Sequence, residues 1–227
     1  MMNDSEGSEY DRLFYPFLFE GGKASIEDVL AQVRHSTLEK CREVIELRRA
    51  TLEHSGERIV EAGRAMARAF AAGATLLAFG NGGSTTDAQD LVTELLNPPF
   101  AGWSPLPAIA LTNDSATISG LMAGGAADMP FVRQIKVLAR PQDIAMGFSA
   151  DGNDTNVVAA LRAARQLGLL TLGLTGCNGG LLKQAEIDFC FTVQAYDPLV
   201  IQETHETLYH VLWELVHIFF EHEGLLE

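Results

Sequence analysis

Leu76-Leu77-Ala78-Phe79-Gly80-Asn81-Gly82-Gly83-Ser84 leads directly into a stretch carrying Asp87, Asp90 and Glu94. The apolar run reads as a buried strand, the glycines as a sharp turn, and the acidic stretch as a helix. Such a turn lets the backbone approach a ligand closely, and the helix behind it presents free N–H groups and a positive dipole end. Downstream, apolar strands alternate with helical segments. Strands are expected at 75–79, 106–111, 143–148, 169–174 and 188–193, and helices at 84–96, 156–167 and 181–185. Near-continuous apolar strands separated by helices imply a parallel sheet covered on both faces. The fold class is therefore α/β, a three-layer sandwich around a five-stranded parallel sheet.

Outward from this centre, residues 25–72 are rich in Glu, Arg, Ala and Leu without an interior proline. Ile26, Val29, Leu30 and Val33 recur at helical spacing, as do Ile59, Ala62, Met66 and Phe70, which predicts two long helices broken near His54-Ser55-Gly56. Residues 1–24 are polar and then aromatic (Phe14, Tyr15, Phe17, Phe19) and read as an N-terminal arm. Residues 25–227 form one domain ending in a long helix from Val200 to about Glu223, which holds His205, His210, His217 and His222.

The chain has 227 residues and 47% apolar content, enough for one good core. A formal charge of −14 argues against nucleic acid or an anionic membrane as partner, since neither polyanion gains counterion release on such a surface. No apolar run approaches the roughly 20 residues of a membrane span, and the acidic start is unlike a secretory signal, so a soluble cytoplasmic protein is expected. Cys41, Cys177 and Cys190 form no metal or disulfide pattern.

Ligands of an open α/β sheet gather beyond the carboxyl ends of its strands. Four of the five loops there are polar or glycine-rich: 80–84, Thr112-Asn113-Asp114-Ser115, Ser149-Ala150-Asp151-Gly152-Asn153-Asp154, and Thr175-Gly176-Cys177-Asn178-Gly179-Gly180. Asp90 and Glu94 share one face of the first helix, while Gln202, Glu206 and His210 span roughly 80° of the last helix at 3.6 residues per turn. If the two faces meet, they offer oxygen and nitrogen ligands for a borderline divalent ion, or a glutamate base with a histidine acid.

In these residues the chain resembles the sugar isomerase (SIS) domain family, specifically its phosphoheptose isomerases. The resemblance runs from about Ser25 to Glu221 and rests on the 80–89 stretch with Glu94, Ala108-Ile109-Ala110-Leu111, Arg140-Pro141-x-Asp143, Ser149-x-x-Gly152-Asn153, Leu174-Thr175-Gly176-x-x-Gly179-Gly180, and Ile201-Gln202-Glu203-x-His205-x-x-x-x-His210. It implies an aldose–ketose isomerase with Glu94 as general base and His210 as general acid, working through an enediol. It also implies a divalent metal, by expectation zinc, on Asp90, Glu94, Gln202 and His210. A sugar or sugar phosphate would contact Asn81, Gly82, Gly83, Ser84, Asp114, Ser149, Asp151, Asn153, Asp154 and Gln202. The implied assembly is a homotetramer with active sites between subunits.

The chain departs from this pattern in places. Asp90 stands where the family has histidine. The family's Ser-Thr-Ser-Gly-Asn-Ser phosphate loop reads Ser149-Ala150-Asp151-Gly152-Asn153-Asp154, which brings in two carboxylates. A carboxylate about 4 Å from a phosphate charge costs ~1 kcal/mol in water and several times that when partly buried. The family's arginine after the glutamate is replaced near Pro98, its Asn-Asp pair by Ala123-Gly124, and an acid before the glutamine by Leu199. The expectation is an isomerase with an atypical substrate pocket, and Asp154 is also expected to cap the following helix. The competing reading is a noncatalytic SIS protein, a sugar sensor or an adaptor of the kind that associates with the replication initiator. A third use of Asp151 and Asp154 is to accept a cationic group.

Overall fold

The computed structural model describes residues 26–226, so the expected N-terminal arm lies outside the described residues. Two compact units divide between Arg42 and Glu43. Helix α1 (Ile26–Ala71) is a single 46-residue helix rather than the expected pair. The physical reason is that Gly56 costs a helix interior only about 1 kcal/mol, and no proline is present to break it. In the first unit, Ile26, Val29, Leu30 and Val33 form an exposed apolar row. In the second, Ile59, Ala62, Met66 and Phe70 are buried, as their spacing predicts.

The second unit continues with β1 (Leu76–Gly80), α2 (Gly83–Leu96), β2 (Ala108–Ala110), α3 (Ser115–Ala123), α4 (Pro130–Leu138) and β3 (Ile144–Ser149). It ends with α5 (Thr155–Gln166), β4 (Leu170–Gly176), α6 (Gly180–Lys183), β5 (Phe189–Val193) and α7 (Pro198–Glu221). The five strands are all parallel in the order β2-β1-β3-β4-β5. Strand periodicity sorts the side chains into two cores. Leu76, Ala78, Met146 and Leu174 face a core closed by α1, α2 and α7. Leu77, Phe79 and Ala145 face a second core closed by α4 and α5. Helices on both faces of the sheet make the expected three layers.

Two helices occupy the segment between β2 and β3, where the sequence reading placed no boundaries. Their signals are local: Asp114 accepts a hydrogen bond from Thr117 N at 2.9 Å at the start of α3, and Pro130 opens α4. Asp188 ties the lower end of the sheet together. It accepts from Thr171 N at 2.9 Å and Thr171 Oγ1 at 2.7 Å, and pairs with Arg165. Burial pushes the Asp188 carboxyl upward, but the Thr171 and Arg165 donors outweigh it and hold its pKa below the ordinary value.

Candidate active site

The site lies where α2 packs against α7, beside the last turn of α2. Ala88, Leu91 and Leu95 of α2 and Leu208 and Leu212 of α7 share the first core, so packing fixes the opposite edges of both helices. Glu94 and His210 meet there, with His210 Nε2 3.0 Å from Glu94 Oε1. Burial raises the Glu94 pKa, opposed by the His210 charge and reinforced by Asp90. Its second oxygen, Oε2, is buried and has no hydrogen-bond partner among the described residues. That leaves a carboxylate with one oriented oxygen and one oxygen free for chemistry.

A cavity of about 470 Å³ opens on this pair, walled by Pro99, Phe100, Trp103, Trp213 and Glu214. Trp103 stacks on His217 with ring centroids 4.2 Å apart and meets Trp213 edge-on at 4.8 Å. Sequence reading did not identify this aromatic wall. Its members come from the loop after α2 and from α7, and no periodic pattern links them.

One turn earlier on α2, Asp90 and His210 come together with Glu206, each offering a ligand atom within 4.8 Å of the others. Tyr209 Oη donates to Asp90 Oδ2 at 2.7 Å, orienting that carboxylate, and burial raises the tyrosine pKa. Two carboxylates and an imidazole fit a borderline divalent ion such as zinc. Gln202 points elsewhere, its Nε2 donating to Gly83 O at 3.1 Å, Thr86 Oγ1 at 2.9 Å and Asp87 Oδ1 at 3.0 Å. The structure thus joins Asp90 and His210 of the expected ligand set and pairs Glu94 with His210, while Gln202 braces the start of α2. Glu206 lies outside that expected set, although its i, i+4 place between Gln202 and His210 was its signal. Asp87, buried beside these acids, has its pKa pushed up to about 7 by burial, against the Gln202 hydrogen bond and with help from Glu206 and Asp90.

The glycine loop after β1 is shaped by close approach. A Cβ on Gly80 would lie 2.7 Å from Ser84 O, and Gly82 has φ +54° at the N-cap of α2. Beside this loop stands the 149–154 loop. Asn81 Nδ2 donates to Asp154 Oδ1 at 2.6 Å and to Asn156 Oδ1 at 2.8 Å. Ser149 is fully buried; its Oγ donates to Asp154 Oδ2 and accepts from Gly152 N at 3.0 Å. Asp154 occupies the N-cap position of α5, but its side chain makes no capping hydrogen bond. The expected capping role is therefore corrected: the Asn81 and Ser149 donors draw its carboxylate inward. Asp151 Oδ1 accepts from Asn153 N at 2.8 Å within its own loop, and Asp114 caps α3, where the Thr117 hydrogen bond lowers its pKa. Ser84 is buried at the start of α2.

A doubly wound sheet with a Gly-Asn-Gly-Gly-Ser loop and a glutamate–histidine pair between the next helix and the last one defines a SIS-domain protein, and residues 41–176 match the SIS domain family. The comparisons narrow the class further. The chain belongs to the phosphoheptose isomerase family: it is 42% identical over 166 residues to the phosphoheptose isomerase of Solidesulfovibrio magneticus, covering 73% of this chain and 80% of that protein. It is 40% identical over 175 residues to the phosphoheptose isomerase of Aquifex aeolicus, covering 77% and 91%. Among solved structures, the phosphoheptose isomerase of Neisseria gonorrhoeae superposes with a TM-score of 0.75 at 27% identity, covering 82% of this chain and 98% of that one.

Proposed function

We propose that this chain is an aldose–ketose isomerase acting on sugars of the sedoheptulose 7-phosphate class, with Glu94 as base and His210 as acid. Support comes from the family relationship and, in the geometry, from the Glu94–His210 hydrogen bond beside a free, buried Glu94 Oε2. Glu94 Oε2 takes the proton from the carbon bearing the hydroxyl, giving an enediol, and returns it to the neighbouring carbon. His210 moves the proton between the two oxygens. One carbon is oxidised as its neighbour is reduced, so no external electron carrier enters. Proton transfer by a positioned side chain contributes about 10² to 10⁴-fold. A divalent ion such as zinc, held by Asp90, Glu206 and His210, would supply Lewis-acid polarisation of the substrate carbonyl. A base–acid pair has no task in a noncatalytic sensor or adaptor, which favours the enzyme. We also propose a homotetramer. Among the described residues, no helix is long and apolar enough to cross a membrane.

The test is NMR-monitored conversion of sedoheptulose 7-phosphate and of free sedoheptulose at millimolar concentration, with zinc and with chelator. Glu94→Gln is expected to lower turnover by at least about 100-fold, and chelation to reduce it. Absence of turnover on both sugars by the folded wild type would overturn the proposal.

A further inference from the structure

We infer that Asp154 is the specificity-determining residue of the cavity between β1 and β3, and that it selects the uncharged, hydroxyl-bearing end of a sugar over a phosphate-bearing end. The inference rests on the isomerase reading and concerns which end of that enzyme's sugar substrate this cavity receives.

In a sheet of order 2-1-3-4-5, the ligand crevice lies between β1 and β3. Here it is a cavity of about 590 Å³, with walls that include Asn81, Gly82, Thr112, Asp128 and Asp154. The side-chain donors that face Asp154 are already committed. An amide –NH₂ has two hydrogens, and both of those on Asn81 are used, one on Asp154 Oδ1 and one on Asn156 Oδ1. The single hydrogen of Ser149 Oγ goes to Asp154 Oδ2. Thr85 Oγ1 donates to Gly80 O at 3.0 Å, and Thr155 Oγ1 donates to Asp128 Oδ1. The Asp154 carboxylate thus sits between Asn81 and Ser149 as a bound anion would, tethered to the chain.

The cavity holds an excess of acceptors. Asp154 and Asp128 both line it, and among the described residues no Lys or Arg does. Thr112 Oγ1, also on the wall, is buried with no hydrogen-bond partner among the described residues, so one hydroxyl awaits a ligand. A phosphate entering here meets two carboxylates and finds the Asn81 and Ser149 donors taken by Asp154 and Asn156. A sugar hydroxyl donates to a carboxylate and exchanges hydrogen bonds with Thr112. Burial of the cradle strengthens the discrimination, since charge repulsion grows as the effective dielectric constant falls.

The test uses the full chain as wild type, Asp154→Ser and the near-isosteric Asp154→Asn, with folding verified by circular dichroism. Inorganic phosphate is titrated calorimetrically, and kcat/KM is measured for sedoheptulose 7-phosphate and for sedoheptulose. The expected result is that phosphate binds Asp154→Ser at least about tenfold more tightly than wild type, and that the kcat/KM ratio shifts toward the phosphorylated sugar by a similar factor. Asp154→Asn should shift both in the same direction. Equal phosphate affinity in all three proteins, with an unchanged ratio, would overturn the inference. If none of the three turns over either sugar, the isomerase reading falls, while the phosphate titration still decides the role of Asp154.

Discussion

Asp87 shows how a single residue reports on its surroundings. Its carboxyl is buried beside Glu206 and Asp90, which raises its pKa from 3.8 to about 7. Between those values the native state binds a proton that the unfolded state has lost, so stability falls as pH rises through this window and the cost is complete above about pH 7. Asp87→Asn removes the charge and keeps an acceptor for Gln202. It is expected to stabilise the protein by about 2 kcal/mol more at pH 8 than at pH 5, read from urea unfolding in chelator; a gain independent of pH would contradict the raised carboxyl. Residue types on the two helix faces offered a metal site or a glutamate–histidine pair, and the family resemblance singled out Glu94 and His210. Neither revealed that Asp154 turns inward instead of capping α5. That choice depends on Ser149 at the end of β3 and on Asn81 after β1, which lies 73 positions away in sequence.

At the scale of elements, helix α1 gives a matched pair of glycines. A Cβ on Gly63 would lie 2.7 Å from Leu215 Cβ on α7, whereas a Cβ on Gly56 would meet nothing within 4 Å. Gly63→Val is expected to cost about 2 kcal/mol through overpacking, and Gly56→Ala to gain about 1 kcal/mol through helix propensity. Thermal or urea unfolding of the two variants checks the contrast. Opposite signs place Gly63 at a helix crossing and Gly56 outside one; matching signs would contradict this. The strands were legible because all five are short apolar runs bounded by glycine or polar loops. The continuity of α1 was misread, since a lone glycine resembles a break when the residues around it are unknown. Helices α3 and α4 carried start signals at Asp114 and Pro130, and α4 also an amphipathic pattern, with Phe131, Val132 and Ile135 buried.

At the scale of the whole molecule, the row Ile26, Val29, Leu30 and Val33 is exposed on the N-terminal unit, with Ile26 at 76% and Leu30 at 62%. Contiguous exposed apolar surface of this kind marks an interaction site. Sedimentation velocity is expected to give four times the 24.6 kDa chain mass, and Val29→Glu with Val33→Glu to give a smaller species. A monomeric wild type would contradict the tetramer. The sequence by itself determined the layered α/β plan, because the period of apolar residues decides which face of each strand and helix is buried. It also determined which loops share one side of the sheet, because in a parallel sheet every strand ends on the same side. Only the tertiary structure decided that Glu206 joins Asp90 and His210, that Gln202 turns to the start of α2, and that Asp154 fills the cradle between Asn81 and Ser149. Asp90 with His210, Gln202 with Gly83 and Asp154 with Asn81 each join residues more than 70 positions apart, and their geometry is set by how helices pack and loops meet in space, which no local spacing encodes.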